Sequence, residues 1–368
     1  MEPFSVSVTD ASLTDLRDRL AAARLLPDSP GRPWSGLNAD YLAELVASWR
    51  EFDWREREVW LNGHPQYQAE IDGSRLHFVH RRTSRADAPA LLVMHGWPHT
   101  FAMQLDYVDL LPDFHVVVAS LPGFAYSSPY SSGPLTEPRL AATMHALMTD
   151  VLGYDRYLTY GEDVTANVND LIAASHPESV AGILVTHAHF PTQQEREQLD
   201  DPAADEFFTA LAARQRTSGA YAQIQGTRPD TLAAGLNDSP TGLLAWLVEK
   251  FVEWSDTPPD DPRSVERHLA RERLLTEATI YWTTQTIASS FRPYFDETDA
   301  PPIPPVEVPA SMHIQRHETT YPESVAHSFY RDLRTFERLE EGGHFTIAEV
   351  PDAMATRTRD FARQLGLL

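Results

Sequence analysis

The sequence predicts an α/β protein: a mostly parallel, doubly wound sheet, interrupted by a helical lid and wrapped by an N-terminal segment. Three observations predict this architecture. Apolar runs at Leu91-Leu92-Val93-Met94, His115-Val116-Val117-Val118-Ala119, Tyr157 to Tyr160 and Ile183-Leu184-Val185 alternate with helical patterns, as buried parallel strands do. The strand pattern disappears between about residues 190 and 293 and returns at Ser311-Met312-His313-Ile314. Finally, the Tyr157 run turns abruptly through Gly161-Glu162-Asp163 into a helical pattern with Val164, Val168, Leu171 and Ile172 on one face.

Residues 1 to about 70 alternate short amphipathic helices with proline-containing turns; one holds Leu13, Leu16 and Leu20, another Tyr41 to Ala47. Trp34, Trp49, Trp54 and Trp60 give this stretch enough aromatic surface to clamp it onto a larger body. Strands begin at Ser74, with Arg75-Leu76-His77-Phe78-Val79-His80 alternating. In the lid, Leu243 to Phe251 and Ala278 to Ser289 are strongly helical. A proline-rich connector, Asp299 to Val308, leads back to the sheet, where Thr335 to Leu339 adds a strand and a helix from about Ala348 to Leu365 closes the chain. The expected division is a meander at 1–85, core at 86–190, lid at 191–299 and core again at 300–368.

Composition narrows the partners. Among 368 residues, Lys and Arg number 30 against 53 Asp and Glu, a formal net charge of −23. So acidic a surface repels phosphate backbones and anionic lipid, which excludes nucleic acid and membrane-surface partners and favours a neutral or cationic small substrate. With 0 cysteines, disulfides, thiol catalysis and cysteine-ligated metal are excluded. Met1 to Ser5 has no secretory character and no apolar run reaches spanning length. The expectation is a cytoplasmic protein with no membrane anchor, compatible with a homo-oligomer.

The chemistry gathers at the predicted strand ends, where doubly wound sheets bind ligands; His95, Pro122, Asp163 and His187 all fall there. A strand-turn-helix with glycine two before its central residue is a nucleophile elbow, and here the lifted residue is Asp163. A carboxylate in that place attacks carbon to give an ester that water then hydrolyses. Asp163, Glu318 and His344 follow the chain order of α/β-hydrolase triads: nucleophile, orienting acid, histidine. His344 sits on the glycine turn Glu341-Gly342-Gly343-His344-Phe345, and Glu318 follows the Met312 strand, with Glu323 and Asp332 as neighbouring acids. The turn His95-Gly96-Trp97-Pro98 offers the Trp97 N–H to an oxyanion, paired with that of Val164.

These motifs carry a resemblance. Phe52-Asp53-Trp54-Arg55, Leu61-Asn62, Pro65-Gln66-Tyr67, Ile71-Asp72-Gly73, His95-Gly96-Trp97-Pro98 and Ser120 to Phe124 resemble the microsomal-type epoxide hydrolases. So do Ile224-Gln225, Thr227 to Thr231, Leu236 to Pro240, Tyr281 to Thr284 and Gly342 to Phe345. The resemblance implies the α/β-hydrolase fold, a hydrophobic or aromatic epoxide as substrate, a vicinal diol as product, and no cofactor or metal. It also implies that two lid tyrosines hold the epoxide oxygen, at the positions of Tyr221 and Tyr294.

Two departures from the family pattern stand out. The family usually has Gly-Gly-Asp-Trp-Gly at the elbow; this chain has Gly161-Glu162-Asp163-Val164-Thr165. His99 stands where a small residue is usual. The expectation is that Glu162 and the missing Trp change the pocket's shape and charge, and that Thr165 tightens the strand–helix crossing. A haloalkane dehalogenase is the nearest enzymatic alternative, but it needs a halide-binding Trp where Val164 stands. A catalytically silent binding protein on the same fold is the alternative from another class.

Overall fold

The computed structural model describes residues 1–32, 35–199, 201–258, 260–297 and 302–368. Trp34 and the start of the proline-rich connector, including Asp299, lie outside these.

Among the described residues nine strands form one sheet: β1 (Glu2–Phe4), β2 (Gln66–Ile71), β3 (Ser74–Arg81), β4 (Ala90–Met94), β5 (His115–Ala119), β6 (Tyr157–Gly161), β7 (Val180–Val185), β8 (Val306–Ile314) and β9 (Tyr330–Arg338). Their order is β1-β2-β3-β5-β4-β6-β7-β8-β9. The pairs from β5 through β4 to β9 are parallel, and β1, β2 and β3 add an antiparallel edge. Every residue of β4, β5, β6 and β7 is buried, as a sheet covered on both faces requires. Crossing from β5 through β4 to β6 reverses the direction of winding, which opens the crevice beside the carboxyl ends of β4 and β6.

β1 and β2 are additions to the sequence reading. β2 alternates buried and open residues beside β3, and the three-residue β1 covers its outer edge.

The meander helices Asp10–Ala21, Ala39–Arg50 and Trp54–Asn62 lie against sheet and lid. Trp49 and Trp54 are buried, and the Trp49 indole N–H donates to Thr279 Oγ1 in the lid at 2.8 Å. Tyr41 O–H donates to Glu266 Oε1, also in the lid, at 2.9 Å.

Helices from Gln193 to Asp296 make the lid. Two expected helices are each divided. The lid helix Arg271–Thr284 ends where Gln285 takes φ +57, before Ile287–Ser290 resumes. The last helix becomes Thr346–Glu349 and Pro351–Gln364, because Pro351 cannot donate a hydrogen bond back and instead opens the second helix.

Candidate active site

The end of β6 carries Asp163, the nucleophile expected from the sequence. Asp163 has φ +54, a conformation that costs a non-glycine residue about 1–3 kcal/mol. A turn at Asp163–Thr165 then leads into the helix Ala166–Ser175, whose N-terminal dipole favours a negative charge. Thr165 ties the elbow to the end of β4: its Oγ1 accepts the Glu162 N–H at 3.0 Å and lies 3.2 Å from the carbonyls of Met94 and His95.

The turn after β4 comes close to this carboxylate. A Cβ at Gly96 would lie 2.3 Å from Asp163 Cβ, so only glycine lets the turn approach. The Trp97 N–H donates to Asp163 Oδ1 at 2.8 Å, and the Val164 N–H also bears on the carboxylate.

His344 Nε2 lies 3.1 Å from Asp163 Oδ2, and His344 Nδ1 lies 3.3 Å from Glu318 Oε1. The structure thus joins Asp163, His344 and Glu318. Glu323 pairs with His327 and Asp332 with Arg334, so neither competes for the histidine. The histidine turn is wedged tightly: a Cβ at Gly343 would lie 2.6 Å from Asp256 N and Trp254 O. The buried Glu349 fastens it, accepting the N–H groups of Gly343 and Phe345, each at 3.1 Å.

The electrostatics follow from this packing. Burial pushes the Asp163 carboxyl up, but the His344 hydrogen bond and charge, with the Trp97 and Val164 N–H groups, outweigh it and hold it below its ordinary value. Glu318 is likewise held low, against its own burial, by His344 and by Arg214. Burial opposes a charge on His344, yet bonds to Asp163 and Glu318 prevail and push it up to about 10. The resting site is therefore a carboxylate–imidazolium pair.

Tyr221, on the helix Ala220–Thr227, and Tyr294, on Arg292–Asp296, close over this pair. The Trp97 ring stacks on Tyr221 (5.5 Å, 9°) and meets Tyr294 edge-on (6.0 Å, 86°). The two tyrosine rings meet at 5.8 Å and 78°, with their side chains also coupled by a hydrogen bond. Burial first, then the Asp163 charge, raises both phenols, so both carry their protons. A groove of about 1430 Å³ between meander and lid reaches Tyr221, past Leu25, Leu37, Trp246 and Val252.

Four participants carried no assigned role in the sequence reading: Arg214, Lys250, Glu349 and His187. The Arg214 guanidinium pairs with Glu318 Oε2 from the lid. Lys250 Nζ lies 5.1 Å from the Tyr221 ring centre and bonds Glu253 at 2.6 Å. His187, just past β7, places Nε2 at 3.1 Å from His344 Nδ1. Only His187 had a signal, its place at a strand end.

The expectation for Glu162 needs correction. It is 0% exposed and turns beneath the elbow, away from the pocket, to bond His99 at 2.7 Å. His187, Glu318 and His344 form a group, among the described residues, whose ligand atoms lie within 4.8 Å of one another. The imidazolium favoured at His344 works against a cation there.

Residues 1–103 match the family described as Epoxide hydrolase N terminus. A putative epoxide hydrolase of Stigmatella aurantiaca is 33% identical over 99% of this chain and 85% of its own length. Epoxide hydrolase 1 of Sus scrofa is 30% identical, covering 100% of this chain and 89% of that protein. Among solved structures, the juvenile hormone epoxide hydrolase of Bombyx mori superposes with a TM-score of 0.86 at 25% identity, covering 100% of this chain and 94% of that one. The Aspergillus niger epoxide hydrolase gives 0.85 at 26% identity, over 99% and 96%. A relative one-third identical along nearly the whole chain, and the same fold from the meander to the last helix, lead to one conclusion: this chain belongs to the microsomal-type epoxide hydrolases, enzymes of the α/β-hydrolase fold.

Proposed function

We propose that this epoxide hydrolase works through an ester on Asp163 and takes a hydrophobic or aromatic epoxide. One observation carries the reading. The two oxygens of Asp163 have different partners: Oδ1 accepts the Trp97 N–H at 2.8 Å, and Oδ2 faces His344 at 3.1 Å. Oδ1 occupies the oxyanion position, so Oδ2 is the attacking atom.

In the first half-reaction Oδ2 attacks an epoxide carbon and the carbon–oxygen bond of the ring breaks. The alkoxide takes a proton from Tyr221 or Tyr294, the phenols above it. Forming the ester removes the Asp163 charge. With that charge goes much of what holds the His344 proton, so the imidazolium passes its proton to the tyrosinate and becomes a competent base only once the ester exists. In the second half-reaction His344, oriented by Glu318, takes a proton from water while the oxygen of that water adds to the ester carbonyl. The Trp97 and Val164 N–H groups hold the resulting oxyanion, each worth about 10²–10³ in rate. The tetrahedral adduct passes its hydroxyl proton to the departing alkoxide and collapses to diol and carboxylate, and His344 keeps the proton taken from water, which restores the carboxylate–imidazolium pair.

The substrate class is supported by the rings around the nucleophile: Trp97, Tyr221, Trp254, Phe291 and Tyr294 contact one another there. Incubating a His344→Gln variant with styrene oxide tests the mechanism. Mass spectrometry is expected to find the adduct on the Asp163 peptide, and an adduct on any other residue overturns the assignment.

A further inference from the structure

A continuous run of part-buried and then buried hydrogen bonds leads away from the base beneath the elbow. His344 Nδ1 lies 3.1 Å from His187 Nε2, and His187 Nδ1 lies 3.3 Å from Thr186 Oγ1. Thr186 Oγ1 is 3.0 Å from the Tyr160 hydroxyl, which donates to Glu162 Oε2 at 2.6 Å. His99 Nε2 and Gln104 Nε2 reach Glu162 Oε1 at 2.7 and 3.3 Å.

The direction of every proton follows from one end. Burial disfavours charge on Glu162, but the hydrogen bond and charge of His99, and the Tyr160 bond, hold its carboxyl low, so it can only accept. Tyr160 therefore gives its proton to Glu162, and its oxygen accepts from Thr186 O–H. Thr186 then accepts from His187 Nδ1–H, which leaves Nε2 of the neutral His187 ring bare. That lone pair faces His344 Nδ1–H. Burial lowers the His187 pKa to about 4, in keeping with a neutral ring.

The His344 Nδ1 proton thus has two acceptors, Glu318 directly and His187 at the head of a chain that ends on a second carboxylate. We propose that Glu162 is a second orienting carboxylate for the base, acting on His344 through Tyr160, Thr186 and His187, while His99 Nε2 holds its other oxygen at 2.7 Å. Glu162, Tyr160 and His187 are positioning residues: they act through His344. The same chain couples the base to the turn that carries the oxyanion donor, because His99 lies two residues beyond Trp97. The two departures from the family pattern at Glu162 and His99 are one feature, a partnered buried pair.

This inference rests on the ester mechanism proposed above, and a transient-kinetic experiment on the intact enzyme separates the two. Single-turnover mixing with styrene oxide, with ester and diol quantified after acid quench, is run on wild type, Tyr160→Phe, Glu162→Gln and the double variant. Ester formation that persists in the variants shows that they fold. Hydrolysis of the ester is expected to slow about tenfold or more in each single variant, and the double variant is expected to be no slower than the worse single one, because residues of one network act non-additively. Tyr160→Phe deletes a single oxygen and carries the test if Glu162→Gln does not fold. A second readout is the His187 tautomer by ¹⁵N NMR: Nδ1–H in wild type, lost in Tyr160→Phe. Unchanged hydrolysis in both single variants, multiplied effects in the double variant, or an Nε2–H tautomer in wild type overturns the proposal. Absence of any ester in the wild type overturns the mechanism instead.

Discussion

Asp163 and the lid tyrosines reach the same reaction centre on supports of different kinds. The carboxylate stands on a buried strand end, with one oxygen fixed by a backbone N–H, the other by His344, and the turn beneath it laced to β4 by Thr165. Tyr221 and Tyr294 stand on lid helices of 8 and 5 residues and are held by ring against ring rather than by hydrogen bonds to the core. The difference matches two tasks. In-line attack depends on placing one oxygen within a fraction of an ångström. On the proposed mechanism the phenols follow a substrate oxygen whose position varies with the epoxide, and aromatic packing allows that adjustment. On that reading, fixed chemistry rests on the sheet and adaptable recognition on the lid.

The largest loss is expected at Asp163. Asp163→Asn should lower kcat by about 10⁴-fold or more, since the ester cannot form and triad members act as a unit; activity near the wild-type level would remove the carboxylate from the chemistry. His344→Gln comes next. Ester formation should survive, while its hydrolysis slows by about 10²–10⁴-fold, as loss of a general base predicts. Equal slowing of both half-reactions would mean that the histidine is needed to place Asp163 as well as to activate water. On the lid side, Tyr221→Phe and Tyr294→Phe should each slow ester formation by about 10²-fold and leave its hydrolysis nearly unchanged. The penalty should vary among epoxides for the tyrosines, but not for Asp163.

Much of the core side was legible in the sequence, and little of the lid's electrostatics was. Asp163 and His344 announce themselves because each sits on a glycine-containing turn after a strand, a local pattern with a local cause. Glu318 needed only its place after the Met312 strand. Arg214 and Lys250 had no such marker: each acts on a residue distant in sequence, Glu318 and Tyr221. Glu162 was visible as an oddity and misread as a pocket residue, since its partner His99 is 63 positions away and only the fold brings them together. The strands β1 and β2 escaped because one is three residues long and the other largely polar, at an edge where one face meets water.

A smaller effect concerns stability. His344 titrates near 10 in the fold against 6.5 unperturbed. Its folded value is the raised one, so the stabilisation is complete below about pH 6.5 and is lost as pH rises through about 10. Unfolding free energies measured by denaturant between these limits should fall in the wild type and less steeply in His344→Gln. A parallel decline in both would place the effect on other groups.

The most direct test of the central claim follows one oxygen atom. With enzyme in excess over epoxide in heavy-oxygen water, the account predicts that the first diol released carries light oxygen taken from Asp163, and that the Asp163 peptide gains the heavy isotope. Heavy oxygen in that first diol, with none in the Asp163 side chain, would mean that water attacks the epoxide directly, and would contradict the account.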